Sequence, residues 1–189
     1  MNASPATVLL VPGLRDQVAQ HWQTLLESDL LSAGQAVRCV SPMGREDLNC
    51  TRKVAAIERV ALEISGPIVI VAHSGGCVMV AHWVLHTQRK VRGALLAAPP
   101  DFESAMPVGY PTIDALRMGG WLPVPRGTLP FPSMVAASRN DPLGDFARVA
   151  DLASSWGSEL VDLGQVGHLN PASGFGEWPM ARQLIARFL

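Results

Sequence analysis

Ser74 stands in the run Ala72-His73-Ser74-Gly75-Gly76, where a continuous apolar stretch (68–72) gives way to Val78, Ala81, Val84 and Leu85 at helical spacing. A serine on a strand-to-helix turn is held exposed on strained backbone, and small neighbours let the two elements close around it. The helix that follows aims free N–H groups at any negative charge forming beside the serine. A serine hydroxyl is a weak nucleophile without a base, and a histidine base needs a carboxylate to hold its tautomer and stabilise its cation. Asp141, in Arg139-Asn140-Asp141-Pro142, and His168, in Gly167-His168-Leu169-Asn170, each follow an apolar strand-like run. In doubly wound sheets, groups meet where they leave the carboxyl ends of neighbouring strands. The order Ser74, Asp141, His168 therefore predicts a nucleophile, its orienting acid and its base, acting without metal or cofactor. The Gly75 N–H, and an N–H from the Pro12-Gly13-Leu14 turn (Leu14 first, Gly13 next), are expected to hold an oxyanion.

The competing residues fit less well. His73 adjoins Ser74, and successive residues of an extended turn point apart, so it is poorly placed as the base. His82 and His86 lie one turn apart, but Trp83 follows His82 where a zinc protease has glutamate, and no third ligand is evident. Asp101, after the fourth strand, is the rival acid; Asp141 is preferred because a tight Asn-Asp-Pro turn leads it into a helix. Asp162 falls within a strand and reads as structural.

These residues need a frame. Thr7 to Val11, Ala36 to Val40, Ile68 to Ala72, Val91 to Ala98, Ser133 to Ala137 and Glu159 to Leu163 read as strands. Helices alternate with them. The first, capped by Asp16, carries Val18, Trp22, Leu25 and Leu26 on one face; later ones carry Val54 and Ile57, Phe146 and Val149, and Trp178, Ala181, Ile185 and Phe188. The alternation predicts one α/β domain over residues 1–189, a three-layer α/β/α sandwich on six mostly parallel strands. Residues 101–132 break the pattern, with many prolines and glycines and a short helix at Ile113 to Met118. A segment that long is usually functional, so it is expected to form a flap whose Trp121 or Phe131 gives the site an apolar wall.

At 189 residues, 48% apolar and 16% charged, the chain suits one core-rich globule. Fifteen basic against sixteen acidic side chains leave no electrostatic footprint for nucleic acid or an anionic membrane. No signal peptide or membrane span is evident, which predicts a cytoplasmic protein. Cys39, Cys50 and Cys77 lack metal-type spacing and read as reduced thiols.

The Ala72-to-Gly76 turn matches the nucleophile elbow of α/β-hydrolases, with Ala72 in place of the first glycine of G-x-S-x-G. Together with Val11-Pro12-Gly13-Leu14, His21-Trp22, Ser138 to Pro142 and Gly167 to Asn170, it makes the whole chain resemble the small serine hydrolases related to retinoblastoma-binding protein 9 and their bacterial YdeN-type counterparts. The resemblance implies a compact α/β-hydrolase with a minimal cap, hydrolysing small esters or simple amides through Ser74, Asp141 and His168. It also places His21 and Trp22 near the site mouth. That family commonly has H-S-L-G at the elbow, whereas Gly75 stands here, which bears on acyl preference. The combined expectation is an esterase on small or short-acyl substrates working through an acyl-enzyme. The alternatives are a peptidase or acyltransferase using the same residues, or a protein-interaction module on a hydrolase scaffold.

Overall fold

The structure, a computed structural model, describes residues 5–15 and 18–189. Among these residues, six strands form one all-parallel sheet: β1 (Thr7–Val11), β2 (Val37–Cys39), β3 (Ile68–His73), β4 (Val91–Ala97), β5 (Ser133–Ala137) and β6 (Glu159–Asp162), in the order β2-β1-β3-β4-β5-β6. The helices between them are α1 (Trp22–Ser32), α2 (Cys50–Leu62), α3 (Gly75–Trp83), α4 (Ile113–Met118), α5 (Phe146–Ser155) and α6 (Pro179–Ile185).

Alternation within each strand divides the core into two layers. Leu9, Ile70, Leu96 and Val135 face one side with Ile57 of α2, Val78 of α3 and Val149 of α5. Val8, Val69, Leu95 and Met134 face the other with Trp22 and Leu26 of α1 and Ile185 of α6. Side chains on both faces must then be apolar, which is why β3 reads as an unbroken aliphatic run and is buried throughout. The three-layer α/β expectation is met, and every strand pair is parallel.

Helix α1 starts later than its apolar spacing predicts. Val18 precedes the helix and stays 47% exposed, while His21 is the N-cap, its ring accepting from the Gln23 N–H at 3.2 Å. A side-chain acceptor that satisfies an otherwise free N–H sets the start more firmly than apolar periodicity does. The expected cap, Asp16, lies outside the described residues.

The 101–132 segment is partly core. Phe102, Leu116, Trp121, Val124 and Leu129 are buried, and Trp121 donates its indole N–H to the Leu48 carbonyl at 2.8 Å. Cys39, Cys50 and Cys77 are free thiols; burial pushes Cys50 up to about 11. Among the described residues no helix is long and apolar enough to cross a membrane.

Helix α3 lies hard against the end of β1. A Cβ on Gly76 would stand 2.6 Å from the Pro12 carbonyl oxygen and 2.7 Å from that of Val11. Both obstacles are backbone, which cannot swing aside as a side chain can. Gly76→Ala should therefore destabilise the fold by about 3 kcal/mol through overpacking. The urea midpoint should fall at unchanged slope; a midpoint equal to wild type would mean that the elbow is loosely seated.

Candidate active site

Three strand ends build the site. β3 runs straight into Ser74, whose backbone N–H still bonds the Ala97 carbonyl at 2.8 Å, and α3 begins at the next residue. That abrupt turn requires φ 54° and ψ −131° at Ser74, an uncommon conformation for a residue with a side chain. Asp141 follows β5 and His168 follows β6.

The three side chains meet. Asp141 faces His168 Nδ1 with both oxygens, at 2.9 and 2.8 Å, and His168 Nε2 stands 2.8 Å from Ser74 Oγ. A carboxylate only accepts, so Nδ1 carries the imidazole proton and Nε2 offers a lone pair to the Ser74 hydroxyl. The Asp141 and His168 side chains are 3% and 5% exposed, which shields their interaction from water. Such a relay can take a proton from the serine as its oxygen attacks, and return it to a leaving group.

A supporting tier holds the relay in place. Asp141 Oδ1 accepts from the Leu143 N–H at 2.8 Å. The Asn140 side chain accepts from the Gly167 N–H at 2.8 Å, and the Ser173 hydroxyl accepts from the His168 N–H at 3.0 Å. His73 bonds the His168 carbonyl at 2.9 Å through Nε2, which must be the donor because a carbonyl only accepts. It is thus not a base but a support for the base. Burial, then the neighbouring His168 and His21, hold His73 well below the ordinary histidine range. Sequence reasoning misses these supports. Asn140 adjoins Asp141 in the Arg139-to-Pro142 turn, which could have signalled it, whereas nothing in the sequence pairs His73 with a backbone oxygen about a hundred residues away.

Asp101, the rival acid, is engaged elsewhere: Arg148 pairs with both of its oxygens. Burial works against ionisation there, but the Arg148 and Ser104 hydrogen bonds, the Arg148 charge and the Glu103 N–H hold the carboxyl below its ordinary range. Asp162 pairs with Arg139 at 2.6 Å. His82 bonds the Trp121 carbonyl at 3.2 Å.

Two backbone segments flank Ser74. Gly75 opens α3, so its N–H has no carbonyl one turn back to donate to. The turn after β1 comes close on the other side, where a Cβ on Gly13 would stand 3.1 Å from Ser74 Cβ. Leu14 lays its side chain over Gly75, and a Cβ there would be 2.7 Å from Leu14 Cγ. The glycine at this elbow position therefore opens no pocket; Leu14 fills the space.

A cavity of about 600 Å³ opens over Ser74 and His168. Leu14, Leu48, Phe102, Met106 and Tyr110 supply its apolar wall, and Arg15 closes one edge by stacking 4.1 Å from the Tyr110 ring and bonding the Gly109 carbonyl at 3.0 Å. The 101–132 segment thus contributes a wall, but not through the expected aromatics. Trp121 is fully buried against Phe102, and Phe131 packs on the core; neither lines the cavity. Trp121 turns inward because its indole N–H finds an acceptor there, the Leu48 carbonyl. Trp22 is likewise core, edge-on to Trp178 at 4.9 Å, while its neighbour His21 does line the cavity.

Comparison with solved structures places the chain beside a protein described as a YdeN-like hydrolase from Pectobacterium atrosepticum, at 31% identity and TM-score 0.79 over 97% of this chain and 90% of that one. The ydeN gene product of Bacillus subtilis superimposes at TM-score 0.78 with 19% identity, covering 97% and 98% of the two chains. Est1E of Butyrivibrio proteoclasticus, solved with ferulic acid, shares the fold at TM-score 0.72 and 12% identity over 98% and 88%. Among curated proteins no sequence matches significantly. The sequence pattern of the serine hydrolase family matches residues 8–187, nearly the whole sheet and both loops that carry Asp141 and His168, and the chain belongs to that family.

Proposed function

We propose that the protein hydrolyses small carboxylic esters through an acyl-enzyme on Ser74. The observation that carries this reading is the unbroken relay from Ser74 Oγ through His168 to Asp141, with its links at 2.8–2.9 Å. Ser74 attacks the substrate carbonyl while His168 Nε2 takes its proton, and Asp141 stabilises the imidazolium that results. The neighbouring imidazoles stay neutral and do not compete for the serine proton, since burial and then His168 lower His21 to about 4 and burial above all lowers His73. The oxyanion is held by the N–H groups of Gly75 and Leu14, with Gly13 letting that turn approach. His168 then protonates the departing alcohol. Water, activated by the same imidazole, cleaves the acyl-enzyme. The apolar wall of the cavity suits the acyl or alcohol portion of an uncharged ester.

The test is mass spectrometry after treatment with a fluorophosphonate, which phosphonylates only activated serines. One adduct, on the peptide containing Ser74, is expected, and it should be absent from Ser74→Ala. No adduct on protein shown by circular dichroism to be folded would remove the hydrolase reading.

A further inference from the structure

His21 occupies a position usually given to serine, threonine, aspartate or asparagine, the side chains that cap helices best. Histidine adds a second ring nitrogen. The Gln23 N–H bonds Nδ1 at 3.2 Å, so Nδ1 holds the lone pair and the neutral ring carries its proton on Nε2. That Nε2–H has no acceptor among the described residues. It is not sealed in protein either, because the fully enclosed orphan polar side-chain atoms among those residues are Trp22 Nε1 and Arg89 Nε. Yet the residue is only 9% exposed, and it lines the cavity that holds Ser74 and His168. His73 packs 4.7 Å from its ring and Trp22 packs at 5.9 Å, which hold the ring in place.

We propose that His21 is a substrate-recognition residue whose Nε2–H donates to an acceptor oxygen in the substrate other than the reacting carbonyl, selecting esters that carry an ether, hydroxyl or keto oxygen over purely alkyl ones. This rests on the hydrolase reading. A nearly buried N–H that meets a methylene goes unpaired, whereas an oxygen at the same place satisfies it. Burial and the nearby His168 keep the ring uncharged at neutral pH, so it acts as a fixed neutral donor and not as a second acid.

The experiment compares kcat/KM for isosteric p-nitrophenyl ester pairs: methoxyacetate against butyrate, and 3-methoxypropionate against pentanoate. The alcohol side is probed with 2-methoxyethyl against butyl butyrate. His21→Asn serves as the reference enzyme, because asparagine still caps α1 but does not reach the imidazole's far edge. Both enzymes experience the same inductive difference within a pair, so the double ratio isolates the contact. A wild-type preference for the oxygenated member that exceeds the His21→Asn preference by about 10-fold in at least one pair is expected. Equal preferences in both enzymes would overturn the assignment, as would a wild type that favours the alkyl member throughout. Fluorophosphonate labelling, which needs no such oxygen, is run on the same samples. Labelled Ser74 without discrimination refutes the His21 contact alone; unlabelled Ser74 refutes both readings.

Discussion

Ser74→Ala should lower kcat for a p-nitrophenyl ester by about 10⁴-fold or more while leaving the fold intact. The large loss follows from the attacking atom being removed: His168 and the N–H groups beside it would act only on water, which is not positioned for attack. The small structural effect follows from what the side chain does. The bonds that fix the elbow are backbone, from the Ser74 N–H to the Ala97 carbonyl and from the Cys77 N–H to the Ser74 carbonyl, at 2.8 and 2.9 Å. Alanine retains both, keeps the Cβ beside Gly13, and bears the φ of 54° at the same cost. Removing the hydroxyl breaks its 2.8 Å hydrogen bond to His168, which belongs to the relay and not to the elbow. The thermal midpoint should accordingly lie within a few degrees of wild type. A variant that turns over within tenfold of wild type, in protein free of contaminating esterase, would exclude Ser74 as the nucleophile.

The residues brought together at the site are legible in the sequence because their placement obeys a topological rule. Ser74, Asp141 and His168 each follow a strand, and β3, β5 and β6 deliver them to the carboxyl end of a parallel sheet. The strands are legible because two-sided burial leaves aliphatic runs that no other element explains. What cannot be read depends on contacts between residues far apart in sequence. The glycine at position 75 makes sense only beside Leu14, which occupies the volume that a larger side chain would need. His73 is a support because Leu169, with φ 50°, follows a turn that carries the His168 carbonyl to the His73 ring. In the 101–132 segment, composition announces aromatic rings without saying which way they face. Trp121 turns inward to reach the Leu48 carbonyl, and Tyr110 turns to the cavity edge beneath Arg15.

Asp141→Asn should cost about 10⁴-fold in kcat, with substrate affinity little changed. The reason is directional. Oδ1 of Asp141 accepts from the Leu143 N–H at 2.8 Å, so an asparagine there must keep its carbonyl oxygen on that side. Its NH2 group then takes the place of Oδ2, 2.8 Å from His168 Nδ1, and donates to it. The imidazole is forced to carry its proton on Nε2, where it faces the Ser74 hydroxyl as a donor and has no lone pair for the serine proton. The fold should persist, since size and both hydrogen bonds are conserved. Asp101→Asn is the matched comparison: it weakens the pair with Arg148 but touches no part of the relay, so kcat should stay within about threefold of wild type. Stopped-flow rates for the two variants, with circular dichroism alongside, separate the two acids. If Asp101→Asn were the inactive one, His168 would have to leave Asp141 and swing towards β4 during turnover, abandoning the His73 and Ser173 bonds that now hold its backbone.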